Sequence, residues 1–271
     1  MNRYFNYILD NLYLKRIGPL IHKNGVRDSD ILFLSYPKSG RTWLRYFFSC
    51  YIAQLSGEDL PVKWSEFTKY TPSYRLGLIG AGLALRNYNY SEIRTIWTHD
   101  QYAAKYLPRD KAVFITRDIV SIIESYYFFH RTRNGIHGSY ESLDEYALTG
   151  FDHSKCLKVI NSFAKNLHAV NNLKLISYED IKINSEEAFK ELLIFSGFDW
   201  NEKFFNRAHE YSSFKNMRLA ETIETDLTEK DLHLRSGNSR GETSVTESTA
   251  KEIRKIYSRN LPSFLAGYWS E

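Results

Sequence analysis

LSYPKSGRTWL, residues 34–44, is the stretch on which the rest of the chain is read. The apolar, β-rich run ILFLSY (31–36) leads into it, and residues 41 to 55 that follow carry a helical pattern. Strand, tight loop and helix in that order set backbone N–H groups at the positive end of a helix, where anions are held. Lys38 adds a charge to such a site, and Ser39 and Thr42 add hydroxyl donors. The loop is not a Walker sequence, which asks for G-x-x-x-x-G-K-[ST]. Here Pro37, Lys38, Ser39 and Gly40 run in a different order, with no glycine four residues earlier.

Outward from the loop, short apolar runs alternate with longer helical patterns, the arrangement of parallel strands joined by helical crossovers. IRTIWTH (93–99), KAVFIT (111–116) and LKLISY (173–178) read as further strands. DIVSIIESYYFFHR and the segment from Lys155 to Val170 read as helices, the latter with Leu157, Ile160, Phe163, Ala164 and Leu167 on one face. SEEAFKELLIFSGF (185–198) reads as a helix capped by Ser185 with Gly197 past its end. The expected fold is α/β: one P-loop-like domain over residues 1–271, a central parallel sheet flanked by helices. Residues 1–30 are expected to form an N-terminal helical extension. The glycine-rich stretch 71–91 and the polar stretch 233–246 are expected to be mobile loops.

Two more positions suggest chemistry. Arg117 follows a strand, and Ser125 lies eight residues on, two turns along the next helix. An arginine fork with a hydroxyl on the same side suits a phosphate, although Arg117 at a strand end could equally pair with Asp118. His99 closes the strand IRTIWTH at the carboxyl edge, where open α/β sheets keep their ligands. A histidine titrates near neutrality and so suits a general base; the plain alternative is a strand-end ring bonded to a backbone carbonyl.

Taken together, these segments resemble the cytosolic-type sulfotransferases, from about Ile31 to Ile256 and in the family's order. SYPKSGRTWL is similar to the 5′-phosphosulfate loop YPKSGTTW, with Arg41 where the family has Thr. The Arg117-x₇-Ser125-Tyr-Tyr spacing is similar to the 3′-phosphate motif. The resemblance implies that the anion is the phosphosulfate end of 3′-phosphoadenylyl sulfate (PAPS), which becomes adenosine 3′,5′-bisphosphate (PAP). Lys38, Ser39, Gly40, Arg41, Thr42, Trp43, Arg117 and Ser125 are then donor contacts, with Trp43 on the adenine. SYED (177–180) looks like the adenine-contacting segment and gives Tyr178; YSSFKNM (211–217) gives Ser212 and Phe214. HLRSG (233–237) looks like the element closing on the 3′-phosphate and gives Arg235, Ser236 and Gly237, with Ser236 in place of Lys. WTH at Trp97 to His99 resembles the family's Lys-Thr-His and makes His99 the base, Trp97 being a departure. Lys38, His99 and Ser125 are the implied catalytic set. No metal is implied.

The resemblance makes the chain a PAPS-dependent sulfotransferase of the cytoplasm acting on a hydroxyl or amine of a small-molecule acceptor. The acceptor pocket is expected from Trp64, Phe67, Tyr70 and Tyr74, then His130, Arg131 and Arg133. The aromatics favour a phenol, a sterol-like or another lipophilic alcohol; the arginines favour an anionic or sugar acceptor. Two other readings are a P-loop nucleotide kinase and a catalytically silent nucleotide-binding homologue. Whether the chain is a homodimer stays open.

Composition sets the outer limits. A net charge of +4 permits an anionic ligand but is too small to suggest a nucleic-acid binder. Two cysteines, Cys50 and Cys156, make no disulfide framework and fit a reducing compartment. No apolar run of membrane-spanning length and no signal-peptide pattern is visible. The 20 tyrosines and 17 phenylalanines fit either a flat-ligand pocket or an aromatic core.

Overall fold

The computed structural model describes residues 26–27, 29–73, 85, 87–100, 110–133, 140–166, 170–225 and 244–266. The expected extension over residues 1–30 lies almost wholly outside these, as do most of 71–91 and 233–246. Four strands are described: β1 (Ile31–Ser35), β2 (Thr95–Thr98), β3 (Lys111–Thr116) and β4 (Asn172–Ser177). They form one parallel sheet in the order β2-β1-β3-β4. Register runs Ile31 against Thr95 and Lys111, and Lys111 against Asn172. The central strands read as continuous apolar runs because helices cover both faces.

Side-chain alternation along the strands divides the core in two. Leu32, Leu34, Ile96, Ala112 and Phe114 face one way, onto α2 (Ile119–Arg133), α3 (His153–Asn166) and, further along the chain, Ile253 and Tyr257 of α8 (Glu247–Asn260). Ile31, Phe33, Trp97, Val113 and Ile115 face the other way. That second core is closed by α1 (Arg41–Leu55), α5 (Ser185–Ser196) and α6 (Glu202–Tyr211). Helix α1 is buried from Leu44 to Gln54, which makes it the inner pillar of the fold rather than a surface helix. Two further helices are α4 (Tyr178–Ile183) and α7 (Phe214–Thr225).

Three details differ from the sequence reading. Asn184, not Ser185, caps α5: its side chain accepts from the Glu187 N–H at 3.3 Å. Ser185 instead pairs its hydroxyl with His209 Nε2 at 2.8 Å. Gly197 does end α5, in the left-handed conformation that glycine adopts without steric cost. Residues 71–73, the start of the expected loop, are tied to the sheet. Thr71 is fully buried, Ser73 bridges to Trp97, and the Trp97 N–H donates to the Pro72 carbonyl at 3.1 Å.

The amino end of the sheet is closed by a buried ion pair. Arg94, just before β2, donates through Nε to Asp30 Oδ1 at 2.7 Å and through Nη2 to Asp30 Oδ2 at 2.5 Å. It also donates to the Leu85 carbonyl. Both residues are 1% exposed, and the two-pronged geometry satisfies both carboxylate oxygens.

Candidate active site

The loop leaving β1 is shaped at two residues. Lys38 has a φ of 72°, the left-handed region that costs a residue with a side chain. Gly40 follows at φ 83° as the N-cap of α1. A side chain at 40 would also collide with the Tyr178 ring, so glycine is required there twice over. Left-handed turns of this kind roll successive N–H groups into a concave surface at the start of a helix. The Ser39 N–H donates to the Tyr36 carbonyl at 3.3 Å, and the Trp43 and Leu44 N–H groups turn back to the Gly40 carbonyl at 3.0 and 3.5 Å. Ser39 sits inside the curve, 1% exposed, and its Oγ is buried with no hydrogen-bond partner.

Arg117 comes to this loop from the end of β3. Its Nη1 donates to the Lys38 carbonyl at 2.7 Å, and its guanidinium lies 4.4 Å from the centre of the Tyr178 ring. Its Nε is buried without a partner, the second such atom in the site. The alternative that Arg117 pairs with Asp118 does not hold among the described contacts. Asp118 Oδ1 is bound by Arg254 of α8, and its Oδ2 accepts from the Ser121 N–H. Glu179, buried enough that its carboxyl is pushed up, accepts from the Asp118 N–H at 3.2 Å.

Helix α2 brings Ser125 and Phe129, one turn apart, to the same side. The Lys38 ammonium lies 4.4 Å from the Phe129 ring centre, which fixes that face of α2 toward the loop. Ser125 is half-buried on it. His130 stacks on Tyr126, and burial and then the Lys38 charge hold its pKa below the usual histidine value. Tyr178 opens α4 under its Ser177 cap and roofs Gly40. Trp43 packs edge-on against Tyr178 and Phe189, half-buried, with ring centres 6.1 and 5.3 Å away.

His99 follows β2 directly and is joined to the end of β1. Its Nδ1 donates to the Ser35 carbonyl at 2.8 Å, with Ser35 Oγ 3.2 Å from the same nitrogen. A carbonyl only accepts, so this bond places the proton on Nδ1 and the lone pair on Nε2. The plain alternative, a strand-end ring bonded to a backbone carbonyl, is therefore the contact observed, and it is compatible with a base at Nε2. Trp97, at the family's lysine position, is wholly buried, stacked on Phe33 at 4.0 Å with Nε1 donating to Thr95. Its side chain belongs to the core beneath α1 and lies away from the loop.

The remaining sequence candidates separate. Ser212 is buried at the α6–α7 junction, where its hydroxyl donates to the His209 carbonyl at 3.1 Å; Phe214 opens α7 and is 38% exposed. No hydrogen bond or ring contact among the described residues joins either to Lys38, Arg117 or His99. Arg235, Ser236 and Gly237 lie outside the described residues, as do Tyr74 and the side chains of Arg131 and Arg133. Phe67 and Tyr70 are core residues packed with Tyr46, Trp64 and Tyr90, and the Tyr70 hydroxyl donates to Glu58. Sequence reasoning missed Phe129, Glu179 and the carbonyl of Ser35. Alternation alone marks the last, since a residue paired across from His99 must present its carbonyl at the same sheet edge.

Comparison with known proteins fits this geometry. The family model for the sulfotransferase domain matches residues 28–264, and the chain belongs to that family. Sulfotransferase 1 family member D1 of Mus musculus is 27% identical over 210 residues, 71% of this chain and 67% of that protein. A WSCD family member of Aedes aegypti is 28% identical over 179 residues, 63% of this chain and 51% of its own length. The chain therefore spans about half the length of the WSCD relatives it matches. Among solved structures, mouse sulfotransferase SULT7A1 complexed with PAP superposes with a TM-score of 0.63 at 18% identity, covering 91% of this chain and 89% of that one. Retinol dehydratase in complex with androsterone and PAP gives 0.60 at 16%, covering 89% and 83%. These likenesses establish the fold: a parallel α/β sheet flanked by helices.

Proposed function

We propose that this chain transfers the sulfuryl group of PAPS to a hydroxyl or amine of a small-molecule acceptor. One observation carries the reading: two buried polar atoms without partners, Ser39 Oγ and Arg117 Nε, flank a left-handed lysine loop at a helix start. Leaving such atoms unpaired costs about 1–3 kcal/mol each. An anion seated in the loop would satisfy Ser39 Oγ and meet the helix N-terminus, and a second phosphate of the same nucleotide would satisfy Arg117 Nε. The PAP complexed in the superposed structures supports the same ligand class here.

PAPS supplies the sulfuryl group, and PAP departs when the bond between sulfur and the bridging oxygen breaks. This chain's residues then divide the work. Lys38, Ser39 and the first turn of α1 neutralise charge that builds on the departing phosphate, a preorganised electrostatic task. Arg117 and Ser125 hold the 3′-phosphate, and Tyr178 and Trp43 flank the base. His99 Nε2 takes the proton from the acceptor oxygen as that oxygen bonds to sulfur, and the Ser35 carbonyl steadies the resulting imidazolium through Nδ1–H. Positioning dominates in transfers of this loose, in-line kind.

Incubation with PAPS labelled in its sulfur, in EDTA, over a panel of phenols, alcohols, sugars and amines tests the reading. Label is expected on an acceptor, and PAP is expected to bind far more tightly than ATP. Equal affinity for PAP and ATP, or transfer that needs a divalent cation, overturns it in favour of a kinase-like protein. PAP binding with no transfer to any member favours the silent homologue.

A further inference from the structure

Arg45 is buried without an opposite charge. It lies on α1 one turn past Arg41, is 5% exposed, and lies amid the aromatic packing around Phe67. Its Nη2 donates to the Thr71 carbonyl, and its guanidinium is 5.3 Å from the Phe67 ring centre. Its Nε is buried with no hydrogen-bond partner. Among the described residues no carboxylate pairs with it, and the charge acting on it is Arg41, of the same sign. Arg94 is equally buried but carries Asp30 on its fork, so burial of an arginine in this fold does not by itself require the anion to be missing. A cation out of water with no partner is strongly disfavoured unless something negative joins it.

The position of Arg45 says what that something is attached to. Helical side chains lean toward the N-terminus, so the guanidinium reaches back toward the first turn of α1. Thr71, its hydrogen-bond partner, begins the segment that runs beside β2 through Pro72 and Ser73. His99 follows β2 directly. Arg117 follows β3, on the opposite side of β1. The loop thus has a donor flank at β3 and a base flank at β2, and Arg45 belongs to the second.

We propose that Arg45 receives an anionic group of the acceptor, a carboxylate, sulfate or phosphate ester, and that the acceptor is therefore an anionic hydroxyl compound. This rests on the sulfotransferase reading and narrows its substrate class. A guanidinium fork suits such a group in a way that a lysine does not.

Two matched acceptor pairs test it on the full chain with saturating PAPS: 4-hydroxyphenylacetate against its amide, and glucuronate against glucose. The charged member of at least one pair is expected to show kcat/KM about tenfold or more above its neutral partner. Arg45→Met is expected to erase that ratio while PAP affinity, by calorimetry, stays within about threefold. Transfer to the neutral members at equal or higher kcat/KM, or to none of the four, overturns the inference from the wild-type protein alone, so it stays decidable if the variant fails to fold. A variant that keeps the ratio overturns it too, as does one that loses PAP affinity in step with transfer, which would place Arg45 on the donor. The parent reading fails separately, by absence of PAP binding.

Discussion

The two ends of the same parallel sheet are built by opposite rules. At the amino end, Asp30 and Arg94 use both carboxylate oxygens and most of the guanidinium, and neither reaches water. At the carboxyl end, Ser39 Oγ and Arg117 Nε are just as hidden and have no partner. The first arrangement is complete in the protein alone, so it serves stability. The second is complete only with a ligand, so stability is given up there for binding. The backbone follows the same division: its left-handed lysine and one of its left-handed glycines lie in the carboxyl-end loop.

Mutations can break this contrast from either side. The largest effect is expected at the carboxyl end, where His99→Ala should slow turnover about 10²- to 10⁴-fold, or about 3–5 kcal/mol of barrier, with PAP affinity retained. More than about a tenth of wild-type turnover in the purified variant would remove His99 from its role as base. At the amino end Asp30→Ala should cost about 3–5 kcal/mol of unfolding free energy in urea, because it strands Arg94 in the core. Its PAP affinity, measured on the folded fraction, should not change; a parallel loss would show that the two ends are not independent.

Ser39→Ala sharpens the comparison, since it removes a hydroxyl that the empty protein does not use. Thermal stability without nucleotide should hold or rise slightly, while PAP affinity should fall about tenfold. A clear drop in the melting temperature of the nucleotide-free variant would mean that the hydroxyl already has a partner. The smallest effect concerns His130, whose pKa is lowered by burial and by Lys38. The unfolded chain takes up its proton first, so stability should decline as pH falls through about 6.5. His130→Gln should flatten that decline by a fraction of a kcal/mol to about 1 kcal/mol in pH-dependent denaturation curves.

Local rules made much of this readable in the sequence. The strand–loop–helix at residues 31–55, the strand at Lys111–Thr116 and the glycine stop after α5 each follow from a short stretch of chain. The loop's tight turn was visible in Lys38, Ser39 and Gly40, and the place of His99 in the strand that it ends. What escaped depends on which face a residue meets across the fold. Trp97 looked like a substituted site residue, yet alternation along β2 turns it into the core against Phe33. Phe67 and Tyr70 looked like pocket aromatics but pack among their own kind. Ser185 lost its capping role to Asn184 because its hydroxyl is taken by His209, a contact between helices that no local pattern encodes. Arg45 left a trace that could have been read: a charge in line with Phe48 and Ile52 on a mostly apolar helix.

Tyr178 and Gly40 touch across 138 positions of chain, and that contact ties the fate of the loop to the outermost strand. Among the described residues β4 pairs on one side only, with β3, so it is a member of the sheet able to fray. When it peels back, the aromatic lid over the glycine goes with it and the guanidinium of Arg117 loses the ring it rests on. Occupying the loop would therefore steady that edge of the sheet, and damage to the edge would be felt as a weakened grip on the nucleotide.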